Sequence, residues 1–168
     1  MTLTTRVTAR VEATHTSGLD LATVSDPLDF LRRIELASGT GASQADQVWH
    51  DQRTLSASAS EDLDFAGSLA DAFGSTLTFA RIKLLAVYAA AANTNNVVVT
   101  QDSSAGVAGI FTGASEGVSV RPGGIFLWVA PDATAAAVTA TSADLITFTN
   151  SSSGTSVTYD VVVIGASA

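Results

Sequence analysis

His15 and His50 are the only side chains in this 168-residue chain whose ordinary pKa lies near neutrality. Proton transfer at pH 7 would therefore fall most naturally to one of them. His50 precedes Asp51, which on paper resembles the base and orienting acid of a serine hydrolase. Neighbours on a strand point to opposite faces, however, and no serine occupies a Gly-x-Ser-x-Gly elbow. His50 is read instead as a partly buried or surface side chain beside Trp49. The chain has no cysteine, which removes disulfides, thiolate nucleophiles and sulfur-ligated metals. Two distant histidines do not make a zinc site. Calcium needs converging oxygens, and Glu61-Asp62-Leu63-Asp64 is the densest acidic run. It lacks the glycine and the spaced ligands of an EF-hand loop, and reads as a solvated turn. The sixteen acidic residues offer many carboxylate pairs for a glycosidase, but no spacing singles one out. Gly39-Thr40-Gly41 follows no clear strand and precedes no clear helix, so it reads as a linker, not a phosphate cradle. No catalytic, cofactor-binding or metal-binding residue is assigned, and an enzyme is not expected.

Trp49 and Trp128 are the aromatic candidates for stacking on a sugar ring. Trp128 lies inside Ile125-Phe-Leu-Trp-Val129 and reads as core or interface. Trp49 is less constrained. The Arg32-Arg33 doublet is explained by an exposed helix end.

Composition limits the partners. Hydrophobic residues make up 46% of the chain, enough for a core, while only 14% are charged, against an ordinary ~25%. Ser, Thr and Ala take the place of the missing charge, giving a surface that is easily desolvated against other chains. A net charge of −8 argues against nucleic acid, whose phosphates need clustered Arg and Lys. It equally disfavours an anionic membrane surface. The longest apolar run, Leu84 to Ala92, is far short of the ~20 residues of a membrane helix. The opening residues lack the basic and apolar regions of a signal peptide. Synthesis in a cytoplasm without a cleaved address is the expectation.

These residues must be positioned by a mostly β chain. Residues 1–16 alternate loosely and read as one strand or an extended arm. The Asp26-Pro27-Leu28-Asp29-Phe30-Leu31-Arg32-Arg33-Ile34 stretch predicts a short helix, with Asp26 as N-cap and Pro27 at the first position. Residues 37–43, rich in Gly and Ser, read as a flexible connector. Beyond it, β-branched runs recur at Leu77–Val87, Val97–Thr100, Val107–Phe111, Val118–Val120, Ile125–Val129, Ala137–Ala140, Leu145–Thr149 and Val157–Ile164. Gly, Pro, Asn and Ser punctuate them, the pattern of an antiparallel β-sandwich or jelly roll. The expected organisation is an arm, short helix and connector over 1–44 and a β-sandwich domain over 45–168. Val161 to Ile164 is apolar without alternation, as in a central strand or one inside an oligomer. Residues 1–44 are expected to serve contact with another chain more than the stability of the β domain. Candidate interface residues are Leu3, Val7, Val11, Phe30, Trp49, Val161 and Val163.

The stretch from Val48-Trp-His-Asp-Gln-Arg-Thr-Leu55 through Glu61-Asp-Leu-Asp-Phe-Ala-Gly67 to Leu77-Thr-Phe-Ala-Arg-Ile-Lys83 resembles small virion proteins of tailed bacteriophages. The resemblance continues through Asn93-Thr-Asn-Asn-Val-Val-Val99, Val120-Arg-Pro-Gly-Gly124 and Gly154-Thr-Ser-Val-Thr-Tyr-Asp-Val-Val-Val-Ile-Gly165, and it leaves residues 1–44 uncovered. It implies a structural component of the particle. Head decoration (cement) proteins are similar in being compact, cysteine-free, β-rich oligomers, often trimers, with arms that reach over coat subunits. The implied partners are the major capsid protein and further copies of the chain, on the capsid exterior. A tail or neck component, or a carbohydrate-binding module using Trp49 or Trp128, stands as the alternative.

Overall fold

Between Val157 and Val163 the chain alternates Val, Tyr, Val and Val with Thr158, Asp160 and Val162. The first set is fully buried and the second is half-buried. Strict alternation of this kind sorts a strand onto an inner and an outer face, and it recurs through most of the chain. The structure, a computed structural model, describes residues 2–168. Among these, every regular element is a strand and none is a helix: β1 (Thr5–Gly18), β2 (Thr23–Ser38), β3 (Gln44–Ala45), β4 (Gln47–Leu55), β5 (Ser60–Asp64), β6 (Leu69–Ala70), β7 (Thr76–Leu77), β8 (Arg81–Ala89), β9 (Val97–Gln101), β10 (Gly117–Val120), β11 (Ile125–Val129), β12 (Ala136–Ala137), β13 (Leu145–Asn150) and β14 (Val157–Ala166).

Two antiparallel sheets enclose one core. In the first the order is β11-β8-β14-β4, with β12 also paired to β8; in the second it is β10-β9-β13-β5. Leu85 and Val87 of β8 and Tyr159, Val161 and Val163 of β14 share the core with Val97, Val99, Ile146 and Phe148 of the second sheet. The rings of Phe148 and Tyr159 stack across the gap at 4.9 Å with their planes 6° apart. The central place of β14, between β8 and β4, accounts for the apolar Val161–Ile164 run. At its end a bulge falls between Ile164 and Gly165. There a Cβ on Gly165 would lie 2.1 Å from the Arg81 carbonyl oxygen, so only glycine lets the two backbones approach.

The expected short helix is not formed. Residues 26–34 belong to β2, which pairs with β1 along its whole length from Thr5↔Leu36 to Gly18↔Thr23. The physical reason is a competing period of two. Val24, Leu28, Phe30, Ile34 and Leu36 alternate with Ser25, Asp29, Arg33 and Glu35, and Val7 and Val11 stand opposite Ile34 and Phe30. Pro27 is tolerated because both strands of a two-stranded ribbon are edges. The acidic run at 61–64 is also not a turn: it is β5, with Leu63 buried and Glu61 facing inward. Of the remaining runs, Val107–Phe111 is irregular, although Val107 is buried in the core; Leu77–Val87 is split between β7 and β8, and Ala137–Ala140 has only Ala137 in a strand.

The Gly/Ser stretch at 37–43 is a hydrogen-bonded loop. Ala37 N–H donates to Ser43 O at 2.9 Å, and Ser43 N–H donates to Pro131 O at 2.6 Å. Lys83, wholly buried, donates from Nζ to Gly41 O at 2.5 Å and to Asp132 O at 3.0 Å. Burial pushes the Lys83 ammonium below its ordinary pKa, with a further contribution from nearby Arg81. This side chain ties the loop to the turn after β11.

Candidate interaction surface

The β1–β2 ribbon has two unlike faces. One carries Val7, Ala9, Val11 and Ala13 opposite Ile34, Arg32, Phe30 and Leu28, with Val24 further out. The other carries Arg6, Thr8, Arg10, Glu12 and Thr14 opposite Glu35, Arg33, Leu31, Asp29 and Pro27. Charges on this second face pair across the strands: Arg6 Nε lies 3.1 Å from Glu35, and Arg10 forks onto both oxygens of Asp29 at 3.0 Å. Such exposed pairs add little stability, but they mark the face as one built for water.

The apolar face is treated differently along its length. At the root, Leu3, Val7, Ile34 and the buried Leu36 pack with Ala45 on the outer side of the first sheet, against Val48, Leu84, Val129, Val162 and Ile164. Beyond Val7 and Ile34 the ribbon leaves the body, and both strands are exposed to the tip. Val11, Val24, Leu28 and Phe30 stand 45–56% exposed on one side of it. The Arg32 guanidinium lies over the Phe30 ring, 4.3 Å from its centre. Isolated two-stranded ribbons are marginal in water, and a bare apolar face makes them more so.

A second bare apolar area continues from the root. On the outer side of the first sheet the row Val129–Leu84–Ile164–Val48 is covered by the ribbon root. The next row is Leu127–Ala86–Val162–His50, of which Ala86 and Val162 still pack against the root cluster, and beyond it lies Ile125–Tyr88–Asp160–Gln52. Ile125 is 72% exposed, and Leu127 and Tyr88 are also open to solvent.

The sequence-derived interface residues divide accordingly. Val11 and Phe30 meet on the bare ribbon face, and Leu3 and Val7 sit at its root. Trp49, Val161 and Val163 are core residues of the body, so they are closed to a partner while the fold is intact. Their apolar character reflects the packing of the two sheets. The outer residues Leu127 and Ile125 escaped notice because Ile125–Val129 is apolar on both faces and offers no alternation to read. Trp49 is 6% exposed and Trp128 packs on the core, so neither presents an open ring to a sugar.

A cleft of about 350 Å³ lies where Leu3, Asp46, Trp49, His50, Asp71 and Phe73 meet. No serine or threonine hydroxyl is hydrogen-bonded to His50 among the described residues, so the cleft holds no assembled nucleophile and base. At the β4–β5 edge, Arg53 bridges the sheets. Its Nε lies 3.1 Å from Glu61 Oε2, and its Nη1 lies 3.1 Å from Asp51. The Tyr159 hydroxyl donates to Glu61 Oε1 at 2.6 Å. Burial pushes the Tyr159 hydroxyl well above its ordinary pKa, and its hydrogen bond to Glu61 adds to that shift. Burial would raise Glu61, but the hydrogen bonds from Arg53 and Tyr159 outweigh it and hold the carboxyl below its ordinary value. The network fastens the sheets together. Comparison with family models, with curated proteins and with solved structures finds no match to this chain.

Proposed function

We propose that the protein is a structural component of a bacteriophage virion, a capsid decoration (cement) protein that binds and stabilises the major capsid protein shell from outside. In this reading the two facing sheets are an antiparallel β-sandwich, the protein acts as a homo-oligomer, a trimer, and it catalyses nothing. The observation that carries it is the projecting ribbon whose apolar face its own chain leaves bare. A surface of that kind serves contact with other proteins and has no role in turnover of a small molecule. The low charge of the chain and its resemblance to virion proteins point the same way.

Affinity in such a component comes from apolar area, at about 25 cal/mol per Å² before entropy costs, multiplied by avidity across copies. Screening acts on charges and not on apolar area. Titration of the purified protein onto emptied, undecorated heads should therefore give saturable binding at symmetric sites that changes little between low and physiological salt. Binding to tails or to a cell-surface glycan, with none to heads, would assign the protein to a tail component or a sugar-binding module instead.

A further inference from the structure

We infer that the bare face of the ribbon is covered by a second copy of this chain, on the outer side of its first sheet where Leu127, Ile125 and Tyr88 stand. The inference rests on the homo-oligomer reading and not on a place in the virion.

Three observations select this occupant. The packing already exists in one chain: Val7 and Ile34, on the same ribbon face, lie on the neighbouring row of the same sheet. The two bare surfaces are therefore continuations of the two sides of one intrachain contact, and each chain carries both. Dimensions admit part of the ribbon. Beyond the root cluster β14 is free from Val157 to Val161, ~15 Å at ~3.4 Å per residue, enough to receive Val11 and Ala13 with their partners Phe30 and Leu28. The ribbon points away from its own body, so it meets a neighbour's sheet and not the uncovered rows of its own.

Charge is the third argument. Arg32, on the apolar face, has no carboxylate within ion-pair distance among the described residues. The receiving face carries Asp160, held only by the Gln52 amide at 2.8 Å. Arm-to-face contact is head-to-tail, so it closes as a reciprocal pair or as a ring.

The test uses two single substitutions at exposed positions, Phe30→Asp on the arm and Leu127→Asp on the face, with Thr8→Asp on the polar ribbon face as control. Mass in solution is measured by light scattering and the thermal transition by calorimetry. Each Asp variant should lose self-association with the transition of the body kept, while Thr8→Asp associates like the wild type. Mixing the two variants should restore a 1:1 complex, because one supplies an intact arm and the other an intact face. Dissociation by Phe30→Asp alone would mean that arms pair with arms, and would overturn the inference. So would a wild-type oligomer that neither substitution dissociates. A monomeric wild type that still saturates heads overturns the inference and leaves the decoration reading standing. An oligomer that complements as expected but ignores heads overturns the decoration reading alone.

Discussion

Glu61 is held by Arg53 on one side and by the Tyr159 hydroxyl on the other, with one-fifth of its side chain open to water. Its folded pKa lies below the ordinary carboxylate value of 4.5. The folded state therefore favours the ionised form, and the stability this adds is fully present above pH ~4.5 and is lost as pH falls through the lower folded value. Glu61→Gln should destabilise the protein by roughly 1.5–3 kcal/mol at pH 7, the usual range for hydrogen bonds to a charged group. Below the folded pKa the difference from wild type should shrink towards zero, and urea unfolding at pH 7 and in acid checks both arms. Nothing in the residue run Glu61-Asp62-Leu63-Asp64 by itself announces this role. Leu63 and Phe65 supply the alternation that marks a strand, but the acids dominate the local reading, and Arg53 and Tyr159 become neighbours only through sheet pairing.

At the scale of elements, the ribbon is where sequence reasoning and structure part. Leu28, Leu31 and Ile34 fit a helical stripe, whereas Leu28, Phe30, Ile34 and Leu36 fit a strand. A window this short does not choose between periods of 3.6 and two. The partner decides: β1 offers Val7 and Val11 in register, and fourteen paired residues outweigh one helical turn with a good cap. A strand near the start of the chain was legible, but the root of the ribbon was not, because packing of Leu36 on an outer sheet face leaves no local trace. The ribbon therefore has two separable parts. Leu36→Ala, at a side chain 1% exposed, should cost roughly 2–4 kcal/mol through lost burial and the cavity left behind. Replacing residues 9–32 by a two-residue Asn-Gly turn should shift the thermal midpoint of the body by only a degree or two, because that span touches nothing else in the chain. Calorimetry on the two variants decides, and a collapse of the shortened protein would show that the outer ribbon belongs to the fold.

Across the whole molecule the β-rich architecture was readable from regular turn signals and β-branched runs, and Ile125–Val129 coincides with β11 at both ends. Strand order was not readable, since pairing joins residues far apart in the chain. The largest instance is β14, which lies between β4 and β8 and pairs Val157 with Leu55 and Tyr159 with Ala89. Until residues 157–166 are in place, β4 and β8 each face an empty slot with a full row of unmet backbone donors and acceptors. Closure of that slot is a long-range event, and topologies of this kind refold in milliseconds to seconds, not microseconds. A chain ending at residue 156 should fail to give a cooperative transition and should aggregate through its open edges. During synthesis the same slot stays open while some hundred residues lie between β4 and its partner, so the ribbon is already made and sticky before the body that anchors it exists. An arm made that early finds no completed receiving sheet, because that sheet needs β14 in place, so arm-to-face association would follow completion of the fold.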